Sequence, residues 1–122
     1  MTNKQKGNDG EDKVCKYLES KGLKIVGRNF KGRQGEVDII TTDKDCLVFV
    51  EVKSWFTYGY EDMEYAINKR KMRNIIVTAL EFVGKHPDYA NFNLRFDVVF
   101  LSRKTGELCH LTNAFEGEGT PL

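Results

Sequence analysis

Cysteine, histidine and proline are all scarce in this chain, and the scarcity of the first two removes classes of function. Its three cysteines, Cys15, Cys46 and Cys109, are odd in number and far apart, with no Cys-x-x-Cys pair. That argues against a zinc ribbon or a disulfide framework and suits buried free thiols in a reducing compartment. The only histidines, His86 and His110, are widely separated, which counts against zinc or histidine-base chemistry. A formal net charge of +1 gives no overall field to draw nucleic acid, so any attraction for phosphate must come from local clustering. No apolar run approaches bilayer length, and the opening Met-Thr-Asn-Lys-Gln-Lys lacks the apolar centre of a signal peptide. The expectation is a cytoplasmic protein without a membrane segment. At 122 residues the chain suits one domain, 1–122, with a core over about 7–115 and flexible ends.

Elements follow from spacing. Asn8 or Asp9 can cap a helix that runs to about residue 21, where Gly22 is a stop signal; Val14, Cys15 and Leu18 form its apolar stripe. Residues 23–30 read as a strand, and the turn Lys31-Gly-Arg-Gln-Gly leads into a second strand over 36–42. A third strand over 47–53 is apolar on both faces up to Val52, as in a strand covered on each side. The aromatic segment Ser54-Trp-Phe-Thr-Tyr-Gly-Tyr either closes over a core edge or stacks on unpaired bases. Helical spacing then covers about 62–84, with Met72, Ile76, Ala79, Leu80 and Val83 as the buried stripe, Lys69 extending it, and Gly84 and Pro87 ending it. Residues 94–101 make a strand parallel to the third, since a crossover helix joins them, and 107–111 a short last strand. The order is α-β-β-β-α-β-β around a mixed sheet.

Three groups that are costly to bury fall on the second and third strands. Asp38 lies on the face opposite Val37 and Ile39, while Glu51 and Lys53 share a face because strand side chains repeat every two residues. One reading is a metal site: Mg²⁺ takes one or two carboxylates, waters and substrate phosphate, and a backbone carbonyl near Val52 can add a neutral ligand. The other is an ion pair of Glu51 with Lys53, with Asp38 at the surface. Glu11 either caps the first helix or reaches toward the same site. Lys69, Arg70, Lys71 and Arg73 are the densest positive cluster, and Arg33 belongs to a second one with Arg28 and Lys31; both are solvated faces or phosphate contacts. Arg95 and Asp97 share a face as an ion pair.

The motifs Gly10-Glu11, Arg28-Asn29-Phe30, Gly35-Glu36-Val37-Asp38, Glu51-Val52-Lys53, Lys69, Arg95-Phe96-Asp97-Val98-Val99 and Asn113-Ala114-Phe115, in this order, resemble the YraN family. That family is described as predicted endonucleases of the PD-(D/E)xK superfamily, similar to archaeal Holliday-junction resolvases, and the resemblance runs from Gly7 to Phe115. It implies a restriction-endonuclease-like α/β fold and a Mg²⁺- or Mn²⁺-dependent endonuclease acting on DNA. It further implies Asp38 and Glu51 as metal ligands, Lys53 and Glu11 as catalytic residues, and Lys69 as the basic residue that the second long helix brings near the site. Lys69, Arg70, Arg73 and Arg33 are the expected nucleic-acid contacts. Where relatives carry Thr-x-Arg or Thr-Arg after the Glu-x-Lys, this chain has Ser54-Trp55, which removes an arginine from the expected phosphate contacts.

Two alternatives stand beside the nuclease: a non-cleaving nucleic-acid-binding module of the same fold, and an interaction domain whose charges are closed in ion pairs. Work on a symmetric junction would need two sites and hence a homodimer.

Overall fold

The computed structural model describes the backbone of residues 3–55 and 68–115, and side chains from residue 10 onward except at Trp55. The expected aromatic segment beyond Trp55, the start of the second long helix over 62–67, and the tail after Phe115 lie outside the described residues.

Five strands form one mixed sheet flanked by two helices: α1 (Asn3–Ser20), β1 (Lys24–Lys31), β2 (Glu36–Asp43), β3 (Cys46–Trp55), α2 (Lys69–Lys85), β4 (Asn93–Ser102) and β5 (Leu108–Phe115). The strands lie side by side in sequence order. All neighbours are antiparallel except β3 and β4, which are parallel because α2 carries the chain back between them. The element order matches the sequence reading, and the two strands read as apolar on both faces, β3 and β4, both lie in the interior of the sheet.

Each helix covers one core. On the α2 side, Phe49, Phe96 and Ile40 pack against Ile75, Ala79 and Phe82. On the α1 side, Val14 and Leu18 meet Ile39, Val48, Val50 and Val99. Within β3, Leu47 and Phe49 serve the first core and Val48 and Val50 the second, the alternation expected of a strand covered on both faces. Thr41 is fully buried among these groups, and its hydroxyl has no hydrogen-bond partner among the described residues. An unsatisfied buried hydroxyl costs stability, so Thr41→Val, which keeps the side-chain shape, is expected to raise stability by about 1 kcal/mol in urea denaturation.

Several local expectations are corrected. Helix α1 starts at Asn3, so Asn8, Asp9 and Glu11 lie inside it and none is its cap; Lys4, Gln5 and Lys6 are good helix formers and outweigh the capping signal further on. Its end is as expected, with Gly22 at φ +91 and the Leu23 N–H donating back to the Leu18 carbonyl.

Helix α2 begins at Lys69, because Asn68 is extended and caps it, its side-chain oxygen accepting from the Lys71 N–H at 2.9 Å. Gly84 lies within it; the helix ends at Lys85. Its buried residues are Ile75, Thr78, Ala79 and Phe82, whereas Leu80 is 57% exposed. Of the expected stripe, Ala79 is buried and Met72, Ile76 and Val83 pack against the core half-buried, so only Leu80 is misplaced. The centre of the buried face nevertheless lies one position round, at Ile75, Thr78 and Phe82. Thr78 fits the buried face because its hydroxyl donates to the Asn74 carbonyl at 2.7 Å. Continued one turn toward the N-terminus, the true stripe reaches Lys71 and not Lys69. Of the cysteines, only Cys15 is buried; Cys46 and Cys109 are half-buried.

Strand β2 also departs from simple alternation. Val37 packs in the α2-side core and Ile39 in the α1-side core, so they do not share a face. Paired residues of β2 and β3 run from Ile39–Val50 to Asp43–Cys46. Beyond Ile39, the Asp38 carboxylate takes the place of a backbone partner and accepts the Val52 N–H at 2.7 Å. The two strands part there, and the functional residues collect where they part.

A paired-carboxylate centre at the parting of two strands

Glu51 is the hub. It is buried on the α2 side of β3, and its Oε2 accepts from Lys71 Nζ at 2.8 Å, with Lys53 Nζ at 3.7 Å. Asp38 comes to it from β2, held by the Val52 N–H. Two acids and two lysines therefore share one half-buried spot. The Glu51–Lys53 pair of the simpler reading is present, but Asp38 is not a bystander at the surface.

Electrostatics follow from crowding. Burial, and then the Glu51 carboxylate beside it, push Asp38 up to about 8, against the lowering effect of the Val52 N–H. Near neutral pH the pair therefore holds a proton. Burial, and then Lys71 beside it, lower Lys53 from the ordinary lysine value. Burial works to lower Lys71 as well, but its bonds to Glu51 and Lys53 outweigh that and raise it.

Linkage gives the sign of the pH dependence. Between about pH 4 and pH 8 folded Asp38 holds a proton that the unfolded chain has released, so raising the pH across that window favours unfolding. The metal-free protein is expected to be less stable at pH 8.5 than at pH 5.5 in urea denaturation, and Asp38→Asn to flatten the difference. An unchanged slope in the variant would show that the proton sits elsewhere.

The other expected residues divide. Lys53 is at the centre. Glu11, in the third turn of α1, is ion-paired with Arg28 of β1 at 3.5 Å; its charge reaches Asp38 without contact. Arg70 lines a cavity of about 470 Å³ that opens beside Asp38 and Glu51, between the first turns of α2 and the turn joining β1 to β2. Lys69 and Arg73 are exposed and outside that lining, and so is Arg33, whose backbone N–H is tied to Glu81 further along α2. The lysine that α2 brings to the site is Lys71. Sequence reasoning placed it only in a basic cluster; the signal that would have found it is its spacing of four from Ile75, together with the capping Asn68 three residues before it.

Asp97 is a different kind of site. Its fully buried carboxylate accepts from Arg95 Nε and Nη2, both at 3.0 Å, from His110 Nε2 at 2.8 Å and from the Asn113 N–H at 2.9 Å. Tyr17 Oη lies 3.0 Å from His110 Nδ1, which ties α1 into the same network. The expected Arg95–Asp97 pair is one edge of it.

Among the described residues no three acids, histidines or cysteines gather closely enough to cage a metal by themselves. No described helix is long and apolar enough to cross a membrane. Fold and site together define an α/β protein with a paired-carboxylate, paired-lysine centre at one end of a mixed sheet. The chain belongs to the UPF0102 family: the model described as "Uncharacterised protein family UPF0102" matches residues 10–101. A UPF0102 protein of Sulfurihydrogenibium sp. is 42% identical over 118 residues, covering 97% of this chain and 100% of that protein. Relatives of the same description in Persephonella marina and Geobacter sulfurreducens are 40% and 42% identical, over 91% and 93% of this chain and 93% and 91% of theirs.

Proposed function

We propose that this protein is a divalent-metal-dependent phosphodiesterase that cleaves DNA, with the restriction-endonuclease-like fold that the YraN resemblance implies. The observation that carries the proposal is the Asp38–Glu51 pair. Two carboxylates from parting strands lie side by side, burial and then their mutual repulsion leave a proton on the pair, and a divalent cation is the natural replacement for that proton.

The donor set fits Mg²⁺ or Mn²⁺. Two hard carboxylates without a full protein cage leave room for water and a phosphate oxygen, which is how Mg²⁺ is usually held at phosphate-processing sites. A bound ion there supplies Lewis-acid polarisation of the phosphodiester and a more acidic water. The chain's own groups do the rest. Asp38 and Glu51 hold the negative wall of the site. Lys71 is drawn to Glu51 in the metal-free protein, and its flexible stem lets the ammonium turn to a phosphate once Glu51 has another partner. Lys53, its pKa lowered by burial and by Lys71, is suited to orient the attacking water and to pass a proton. Arg70 adds positive charge at the cavity, and Glu11 adds negative charge from a distance. Such an enzyme would act in the cytoplasm, and as a homodimer if its DNA is a symmetric junction.

Thermal melts with and without millimolar Mg²⁺ or Mn²⁺ test the centre. The wild type is expected to shift upward and the Asp38→Ala, Glu51→Ala double variant not to shift, because only a protein that binds the ion in its folded state gains stability. No shift with metal, alone or with DNA present, would leave the charges as structural ion pairs. A shift with DNA but no cleavage would favour the binding module.

A further inference from the structure

The cavity beside the carboxylates is larger than their chemistry requires, and its lining differs in kind from theirs. At about 470 Å³ it falls within the roughly 300–1,000 Å³ of sites that hold a small organic ligand, room enough for one nucleotide. Among the described residues its cationic groups are Arg70 and Lys71, and Lys71 sits on Glu51, at the proposed metal end. Gln34, Asn68 and Asn74 bring side-chain amides, and Glu36 a carboxylate.

That mixture suits a base better than a second phosphate. A carboxylate repels phosphate but accepts from amino groups on base edges, and amides both donate and accept. The wall also stands close to the helix: a Cβ at Gly35 would meet the Asn74 Cβ at 3.4 Å and the Thr78 hydroxyl at 3.5 Å, so the glycine lets the β1–β2 turn lie against α2 and holds Gln34 and Glu36 beside Asn74.

From this we infer that the cavity receives one unpaired nucleotide next to the scissile phosphate, and that the preferred substrate is nucleic acid whose base edge is free: a single strand, a flap or a mismatch. The inference rests on the phosphodiesterase reading for the position of the scissile bond. A base inside a duplex has its edge engaged and must leave the stack before it can enter such a pocket, which slows cleavage of paired DNA. Lys71 and Arg70 hold the phosphate and set the register; Gln34, Asn74 and Glu36 meet the base.

The test has a cleavage arm and a binding arm. One labelled sequence is presented to the wild type with Mn²⁺ as a single strand, as a perfect duplex, as a duplex with one unpaired nucleotide, and as a four-way junction. The unpaired forms are expected to be cut at least about ten-fold faster than the perfect duplex. In the binding arm, the cleavage-dead Asp38→Ala protein is titrated with the single strand and with the duplex, followed by fluorescence anisotropy. Adding Gln34→Ala and Asn74→Ala is expected to weaken single-strand binding about ten-fold and leave duplex binding within about two-fold. Asn74→Ala keeps the Cβ that packs near Gly35, so the wall stays in place. Equal cutting of all forms, or single-strand binding that ignores both substitutions, overturns the nucleotide pocket and leaves the phosphodiesterase reading standing. Amide-dependent single-strand binding without cleavage of any form keeps the pocket and overturns the phosphodiesterase.

Discussion

Asp97→Ala is expected to lose about 3–5 kcal/mol of stability in urea denaturation at pH 7, the largest single loss foreseen in this fold. The carboxylate is fully buried, with four donors aimed at it from three residues. Removing it leaves the Arg95 guanidinium with Asp43 alone, at 3.3 Å, and leaves the His110 ring and the Asn113 N–H without their acceptor. Asn113 is held at φ +53, a left-handed conformation that asparagine tolerates, and that conformation is part of what the carboxylate secures. Asp97→Asn keeps one oxygen but points an NH₂ group at donors, so it should lose less, about 2–3 kcal/mol. Burial raises Asp97, but His110, Arg95 and the Asn113 N–H outweigh it and hold the pKa below the ordinary 3.8. Its contribution is therefore complete above about pH 4 and fades as the pH falls through the lowered value, the usual direction for a paired acid. An Asp97→Ala protein within 1 kcal/mol of the wild type would mean that the network is decoration.

The second large effect is on activity. On the phosphodiesterase proposal, Asp38→Asn and Glu51→Gln should each lower cleavage by about 10³-fold or more, equivalent to about 4 kcal/mol of transition-state stabilisation, because each removes a charge proposed to hold the metal. Stability separates this from simple damage. Asp38→Asn keeps an oxygen for the Val52 N–H while ending the repulsion with Glu51, so the metal-free variant should melt no lower than the wild type at pH 8. Glu51→Gln frees Lys71 and Lys53, which are 39% and 27% exposed in their side chains and can turn toward water. Lys53→Ala should keep the metal-induced melting shift and lose turnover. Variants that cut DNA as fast as the wild type would remove the centre from the carboxylates altogether.

What the sequence made legible was what repeats over short distances. The unbroken apolar run at Leu47–Val50 marked a central strand, and the α2 crossover implied its parallel pairing with β4. Asp38, Glu51 and Lys53 were legible because two facing strands bring them together within sixteen residues. Lys71 was not, since helical rotation depends on which residues are truly buried. Thr78 and Phe82 decide that, and a stripe drawn through Leu80 turns the helix away from the answer. The break in alternation between Val37 and Ile39 was equally hidden, because it is made by the Asp38 side chain displacing a backbone partner. The Tyr17–His110–Asp97 chain joins residues 93 positions apart, a separation on which no local pattern reports.

That same separation sets an order of events during synthesis. The sheet can be laid down strand by strand as the chain emerges, since each strand pairs with the one made just before it. Helix α1 is made first, yet Tyr17 meets His110, and Lys13 the Gly106 carbonyl at 2.8 Å, only after 93 further residues have followed. At ribosomal speeds that is a wait of roughly 5–19 s, during which Val14, Cys15 and Leu18 lack part of their final cover. Until the last hairpin docks, the apolar face of the newborn helix is open to a chaperone, and that hairpin is the latch that closes it.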